Sequence, residues 1–203
     1  MLSKSALAKS KYTTSMRVGV VAIQGDFEKH SLALLACGLD GLEVVEVRTP
    51  EELSSVDSAI IPGGESTTVG LLMQRYGLGD ALKSAAKDGM PIWGTCMGMI
   101  MMARSVVGSR QYTLGLLDIE VSRNAFGAQV HSFEDEVSVD GLSHPVLGVF
   151  IRAPIVTAVN PPARVIATYQ DRIVGVQQGK LLGTSFHPEL TDDIRLHEFF
   201  LKL

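Results

Sequence analysis

The sequence has little cysteine, no long apolar run and no block of positive charge, and each absence argues against a class of protein. Two cysteines, Cys37 and Cys96, are too few for a disulfide framework, and their spacing does not resemble a metal site. The longest apolar stretches have about six or seven residues, whereas a membrane helix needs roughly 20. The net charge is −4, without a lysine and arginine run that would suit nucleic acid. We therefore expect no membrane partner, no nucleic-acid partner and no metal.

The composition that remains is that of an ordinary globular protein. The chain has 203 residues, of which 46% are hydrophobic and 20% charged, and this length favours one domain with a full-sized core. Residues 1–16 are rich in Ser, Lys, Ala and Thr and lack the apolar segment of a secretory signal, so we predict a flexible extension, with a weak transit peptide as the alternative. Residues 17–203 are predicted to form a single domain. One buried and one reactive thiol would be typical of an intracellular enzyme, and we expect a cytoplasmic location.

Strand and helix patterns alternate through the first half of the chain, which predicts a parallel sheet covered on both faces. The second half contains seven short strand-like segments, mostly separated by Gly, Pro and Asn, and ends in a helix over 192–203. We predict a three-layer α/β fold with a mostly parallel central sheet, extended or flanked by antiparallel strands. In the first half the predicted strands are 18–23, 44–47, 58–61 and 91–94, and the predicted helices are 27–37, 66–76, 80–88 and 99–105.

The most informative segment is 91–99, which reads as a strand, a Gly-x-Cys-x-Gly turn and the start of a helix. This is the layout of a nucleophile elbow, in which a sharp turn lifts one side chain above the sheet edge. At the start of a helix, Cys96 also lies at the positive end of the helix dipole, which favours the thiolate. The alternative is that Cys96 is a core residue beside two incidental glycines. Cys37, at a helix end with no strand before it, is interpreted as structural.

A thiol nucleophile needs a base, and the base needs an orienting group. The segment Ser-Phe-His-Pro-Glu at 185–189 supplies both. Pro188 favours extended backbone at His187, and residues two apart on an extended segment point the same way, so Glu189 is placed to hold the imidazole. The alternative is a histidine at a strand end beside a solvated glutamate. The remaining histidines have no comparable setting and are interpreted as structural or exposed: His30, His131, His144 and His197.

The third segment, Ile-Ile-Pro-Gly-Gly-Glu-Ser-Thr-Thr at 60–68, reads as a strand, a double-glycine turn and a helix start. Free backbone N–H groups at such a turn stabilise an anion. We predict an oxyanion hole formed by the backbone N–H groups of Gly64 and Met97. The alternative is a simple connection in which Ser66 or Thr67 caps the helix.

Together these segments resemble the class I (triad) glutamine amidotransferases and, within them, the glutaminase subunits of pyridoxal 5′-phosphate synthase (PdxT type). The resemblance runs from about Val18 to the C-terminus. Met97 and Met99 stand where this family often has Ala and Leu. The motifs that carry the resemblance are Ala-Ile-Gln-Gly at 22–25, Pro-Gly-Gly-Glu-Ser-Thr-Thr at 62–68, Gly-Thr-Cys at 94–96, Arg-Asn-Ala-Phe-Gly at 123–127, Phe-Ile-Arg-Ala-Pro at 150–154 and Ser-Phe-His-Pro-Glu-Leu-Thr at 185–191.

The resemblance implies a flavodoxin-like fold and hydrolysis of L-glutamine by a Cys96, His187 and Glu189 triad through a thioester. It also implies that the ammonia is passed to a synthase subunit (PdxS type) in a large hetero-oligomer that makes pyridoxal 5′-phosphate, and that hydrolysis needs no cofactor. The resemblance also implies that glutamine contacts Gly64, Glu65, Ser66, Arg123, Ile151 and Arg152. Both arginines follow predicted strands, so the alternative for Arg123 and Arg152 is that they are surface charges.

Two rival functions remain open on these residues. One is a triad glutaminase that feeds another pathway, such as histidine or aminobenzoate synthesis, although the segments at 63–68 and 151–154 argue against it. The other is a regulatory binding protein with a silent site, which the intact Cys96, His187 and Glu189 disfavour.

Overall fold

The computed structural model describes residues 15–123 and 132–203, and its centre is a ten-stranded sheet. The strands are β1 (Met16–Val21), β2 (Leu42–Val47), β3 (Ser58–Ile61), β4 (Ile92–Thr95), β5 (Ala103–Val106), β6 (Leu117–Ser122), β7 (Ser132–Val137), β8 (Val146–Ile151), β9 (Ile155–Val159), β10 (Arg164–Tyr169), β11 (Arg172–Gln178) and β12 (Leu181–Thr184). The helices are α1 (Phe27–Ala36), α2 (Pro50–Leu53), α3 (Ser66–Arg75), α4 (Leu78–Lys87), α5 (Met97–Met102) and α6 (Arg195–Phe200), with a 3-10 turn at Pro188–Leu190.

The strands of the large sheet follow the order β2-β1-β3-β4-β12-β11-β9-β6-β5, with β10 also paired to β11. The first five strands in this order are parallel, so their carboxyl ends share one edge of the sheet. Strands β11, β9 and β6 continue the sheet by antiparallel pairing, and β7 and β8 form a separate two-stranded sheet. Ligands of open α/β sheets bind beyond the carboxyl ends of the strands, so this edge is where a site is expected.

Successive residues of the central strands face opposite sides of the sheet, and each side is covered. Ile61 belongs to a core that contains residues of α2, α3, α4 and α5, whereas Ile60 and Trp93 belong to a core with residues of α1, α6, β7 and β8. All of β3 and β4 is buried. Burial on both faces explains why neither strand carries a charged residue in the sequence.

The predicted three-layer fold is confirmed, and most predicted elements match the observed ones to within a few residues. The predicted helix over 99–105 is wrong at both ends, because α5 begins at Met97 and ends at Met102, after which the chain enters β5. Pairing of β5 with β6 accounts for that early end. The single domain over 17–203 stays a prediction, and residues 1–14 lie outside the described part of the chain. Over 15–123 and 132–203, we find no helix with the length and apolarity that crossing a bilayer requires.

Candidate active site

Cys96 lies on the sharp turn between β4 and α5. Its backbone has φ 49° and ψ −105°, a region that residues other than glycine rarely adopt and that marks strain at functional turns. Its N–H donates to the Thr184 carbonyl at 2.7 Å, which anchors the turn to β12. A Cβ at Gly98 would overlap the Ile61 carbonyl oxygen, so only glycine lets α5 pack this closely on β3. The predicted nucleophile elbow is therefore present.

His187 and Glu189 follow β12, the strand beside β4. The His187 N–H donates to the Val149 carbonyl at 2.8 Å, and its Nδ1 lies 2.8 Å from Glu189 Oε1. Both side chains are buried. The predicted contact between His187 and Glu189 is observed, but the extended backbone on which we based it is not. Glu189 lies within the 3-10 turn Pro188–Leu190.

The electrostatics of this pair favour an imidazolium beside a carboxylate. Burial alone would lower the pKa of His187, but hydrogen bonds to Cys96 and Glu189, with their negative charges, outweigh it and raise the pKa to about 10. Burial tends to raise the pKa of Glu189, yet the nearby His30 and the hydrogen bond to His187 lower it overall. His187 is thus placed to carry a proton at neutral pH.

A cavity of about 500 Å³ opens over these residues at the carboxyl edge of the parallel strands. Cys96 lines this cavity, and its Sγ lies 3.9 Å from the Ile151 carbonyl oxygen. All six predicted glutamine contacts line this cavity together with Cys96 and His187. The full lining is Gln24, Gly25, Asp26, Gly63, Gly64, Glu65, Ser66, Cys96, Met97, Ile100, Arg123, Ile151, Arg152 and His187.

The double-glycine turn between β3 and α3 forms one wall of the cavity. A Cβ at Gly63 would collide with the His187 ring, so glycine is needed for the turn to approach the imidazole. The helix cap is Glu65, not Ser66 or Thr67 as the alternative reading of this segment expected. Its two carboxylate oxygens accept from the Thr67 and Thr68 N–H groups at 3.0 and 2.8 Å, and these bonds lower its pKa to about 2.

Comparison with known proteins agrees with this geometry. The profile of the SNO glutamine amidotransferase family matches residues 20–203. The chain belongs to that family. A pyridoxal 5′-phosphate synthase subunit PdxT from Moorella thermoacetica is 48% identical over 189 residues, which cover 93% of this chain and 99% of the relative. The subunit of the same name from Pyrococcus furiosus is 48% identical over 194 residues, covering 92% and 98%.

Solved structures support the assignment of the fold. A crystal structure of a glutamine amidotransferase has a TM-score of 0.86 and 46% sequence identity, with coverage of 91% of this chain and 97% of that one. A glutamine amidotransferase from Thermotoga maritima has a TM-score of 0.58 at 14% identity, with coverage of 93% of this chain and 84% of that one, and this likeness concerns the fold alone.

One polar residue of this amidotransferase site was missed from the sequence. Gln111 Oε1 accepts from Arg123 Nη1 at 3.1 Å and from Ser66 Oγ at 3.2 Å, so it links two of the predicted glutamine contacts. It lies outside any motif, and only its position between the strands β5 and β6 brings it there. Arg152, with φ 44°, follows β8 directly. The motif that begins at Arg123 continues over 124–127, which lie outside the described residues.

Two histidines that the sequence suggested were structural or exposed lie directly behind the His187–Glu189 pair. His30, on α1, and His197, on α6, are both fully buried. His30 Nε2 lies 3.4 Å from Glu189 Oε2, and His30 Nδ1 lies 3.0 Å from His197 Nε2. His144 is exposed, and His131 lies outside the described residues. A histidine on a helix gives no local signal for such a contact, because its partners are far away in the chain.

Within the described residues, one group of side chains has metal-ligand geometry. Ligand atoms of Asp26, His187 and Glu189 lie within 4.8 Å of one another. His187 Nδ1 and Glu189 Oε1 already share a hydrogen bond at 2.8 Å, which is the arrangement that orients a catalytic imidazole. We therefore interpret His187 and Glu189 as members of the predicted triad, and we assign no metal to this group of three side chains.

Proposed function

We propose that this chain hydrolyses L-glutamine to L-glutamate and ammonia. Cys96 is the nucleophile, His187 the general acid and base, and Glu189 the residue that orients His187. The observation that carries the proposal is the meeting of the strained Cys96 turn and the buried His187–Glu189 pair at one cavity of about 500 Å³. A nucleophile, a base and an orienting carboxylate in this order form the arrangement that activates side-chain nucleophiles in hydrolases.

In the first half-reaction, the Cys96 thiolate, whose proton resides on the His187 imidazolium, attacks the carboxamide carbon of glutamine. The carbonyl oxygen becomes an oxyanion, and the backbone N–H groups of Gly64 and Met97 are assigned to stabilise it. The carbon–nitrogen bond then breaks, and the His187 imidazolium gives its proton to the leaving nitrogen. This step releases ammonia and leaves a γ-glutamyl thioester on Cys96.

In the second half-reaction, neutral His187 takes a proton from water, and the hydroxide attacks the thioester carbon. The carbon–sulfur bond breaks as the tetrahedral intermediate collapses, and Cys96 leaves as a thiolate beside the His187 imidazolium. One water is consumed, and the products are glutamate and ammonia. Glu189 keeps the same imidazole nitrogen protonated through both halves, so the other nitrogen is always the one that exchanges protons.

The charges around the cavity suit a zwitterionic amino acid. Arg123 and Arg152 offer cations for the α-carboxylate of glutamine, and Gly64, Ser66 and Ile151 offer backbone groups around the bound substrate. The carboxylate of Glu65 accepts hydrogen bonds from two backbone N–H groups of α3, so we assign this side chain to stabilising the turn. The backbone of Glu65 is assigned to contact with the substrate.

We further propose that the ammonia passes to a partner, the synthase subunit of pyridoxal 5′-phosphate synthase, within a hetero-oligomer in the cytoplasm. The support is the naming of relatives at 48% identity that cover almost all of this chain. A transfer to a docked partner would keep the ammonia from being protonated and lost in bulk solvent. The two free thiols, Cys37 and Cys96, agree with a reducing compartment.

The test is glutamate release from L-glutamine, measured with and without the purified synthase subunit. Cys96→Ala is expected to abolish turnover while leaving the complex intact, and Cys37→Ala, the matched control, is expected to keep it. Turnover that survives Cys96→Ala would refute the nucleophile assignment. Wild-type chain that binds the synthase but never releases glutamate would favour a regulatory role, and ammonia that never reaches pyridoxal 5′-phosphate would favour a glutaminase of another pathway.

A further inference from the structure

The carboxylate of Glu189 has two oxygens, and the triad accounts for only one of them. Oε1 holds His187, whereas Oε2 is fully buried and has no hydrogen-bond partner of good geometry among the described residues. The His30 Nε2 lies 3.4 Å from Oε2 and 3.0 Å from Thr95 Oγ1. A buried carboxylate oxygen without a donor is costly, so the identity of the group that faces it matters for the charge on Glu189.

The contacts of His30 determine which of its nitrogens carries the proton. A bare nitrogen lone pair at Nε2 would face the Glu189 carboxylate and be repelled by it, so Nε2 is the protonated nitrogen. Its N–H donates to Thr95 Oγ1 and places the positive end of the N–H dipole 3.4 Å from Oε2. Nδ1 is then an acceptor, and the donor 3.0 Å away must be the Nε2–H of His197. Each histidine fixes the tautomer of the next.

Both histidines act in this chain as neutral groups. Burial lowers the pKa of His30, and the charge of His187 lowers it further, which together outweigh the opposing influence of Glu189 and Asp26. Burial, assisted by the neighbouring His30, lowers the pKa of His197 to about 3. The titratable groups that face His30 are therefore Glu189 and His187 at the triad, Asp26 at the start of α1 and His197 on α6.

We infer that His30 is a positioning residue for the triad. Its Nε2–H faces the second oxygen of Glu189 at 3.4 Å, and His197 fixes the tautomer that makes this contact possible. The inference rests on the proposed glutaminase function and deepens it. The contacts run from α6 through α1 to the loop after β12, so two histidines outside the cavity lining influence the orientation and the negative charge of Glu189.

Two substitutions at position 30 separate this role from simple packing. Glutamine places its amide nitrogen where the Nε2 of histidine lies, so His30→Gln keeps a donor towards Glu189. Asparagine places its polar atoms where Nδ1 lies, so His30→Asn keeps the contact with His197 and loses the donor. If His30 only fills space, the longer glutamine and the shorter asparagine should change activity in step with their effect on the free energy of unfolding.

The experiment uses the full chain in complex with the synthase. It measures kcat/KM for glutamate release, together with the pH dependence of Cys96 alkylation by iodoacetamide. The alkylation is done in a Cys37→Ala background, which leaves Cys96 as the only thiol of the sequence. Loss of the donor that faces a buried charge predicts a fall in kcat/KM of about 10- to 100-fold for His30→Asn. His30→Gln and the exposed control His144→Asn should stay within about 3-fold of wild type.

The alkylation profile gives a readout that packing alone would not change. Without its donor, the Glu189 carboxylate takes up a proton at higher pH, and the neutral acid no longer holds the His187 imidazolium. We expect the acid-side midpoint of Cys96 alkylation to move to higher pH in His30→Asn and to stay in place in His30→Gln. Equal losses in the two variants, or an unmoved midpoint in His30→Asn, would overturn the inference.

A second pair of variants covers the case in which His30→Asn does not fold. His197→Gln keeps the donor towards His30 Nδ1, and His197→Asn removes it, so only the asparagine variant should lower kcat/KM and shift the midpoint. Indistinguishable behaviour of this pair would also count against the inference. If wild-type chain with synthase releases no glutamate, the proposed function fails, whereas the alkylation midpoints still decide the role of His30.

Discussion

A close approach between two backbone segments at the site gives a sharp prediction for Gly98. An ideal Cβ on Gly98 would overlap the Ile61 carbonyl oxygen and lie 2.8 Å from its carbonyl carbon. Since carbon atoms pack at about 3.5–4.0 Å, α5 would have to move from β3 by roughly 0.7 Å or more. Both partners are backbone, so no side-chain rotation can absorb the shift.

Gly98→Ala therefore tests whether this contact holds the nucleophile in place. Alanine is a better helix former than glycine by ~1 kcal/mol, but overpacking typically costs 1–3 kcal/mol, so we expect a net loss of up to about 2 kcal/mol in the free energy of unfolding. Displacement of the Cys96 turn should lower kcat by about 100-fold, the usual cost of a misplacement near 1 Å.

The matched control is Gly70→Ala, on α3, where the same helix-propensity gain applies but the nearest atoms to the new Cβ are 3.4 Å away. It should be neutral or slightly stabilising. Urea unfolding gives the free energies, and glutamate release with the synthase gives kcat. If Gly98→Ala proves as stable and as active as Gly70→Ala, the argument that backbone contact sets the position of Cys96 is refuted.

Three further predictions concern the described charges and bonds. His187→Asn should reduce glutamate release by at least about 1,000-fold, since the segment holds no second base; activity above a tenth of wild type would contradict the assignment. In wild type, kcat/KM should fall as the pH rises through about 10, where His187 loses the proton it gives to ammonia, and a profile still flat at higher pH would argue against that role. Glu65→Gln should lower the free energy of unfolding by ~1 kcal/mol or less at pH 7, because the cap is exposed. The pKa of Glu65 is depressed on folding, so this difference between variant and wild type should disappear in urea titrations as the pH falls from 4.5 towards about 2.

Local patterns were sufficient to predict much of the fold and the meeting of Cys96 with the His187–Glu189 pair. The parallel half was predictable because strands such as β3 are short, largely apolar segments, and β3 is followed at once by a double-glycine turn. Cys96 and the His187–Glu189 pair stood out because their neighbours in the sequence, glycines and Pro188, are themselves part of the required geometry. Chemistry that is encoded within a few residues can be read from a sequence.

Features that depend on distant partners could not be predicted in this way. The residues of β5 continue directly from α5 without a glycine or proline, so only pairing with β6 reveals where the helix ends. His30 and His197 are 167 residues apart, and neither lies in a recognisable motif. The caps were also ambiguous, because three consecutive residues, Glu65, Ser66 and Thr67, can each cap a helix and only the backbone conformation selects the first.

The pairing of β4 with β12 also determines when the protein becomes reactive during its synthesis. Trp93 and Thr184, which join these strands through a hydrogen bond, are 91 residues apart. At typical translation rates Cys96 is synthesised roughly 5 to 20 seconds before His187. A chain that ends before β12 therefore carries Cys96 without His187, and the proposed amide-cleaving chemistry requires that the last strand of the sheet has been inserted beside the fourth.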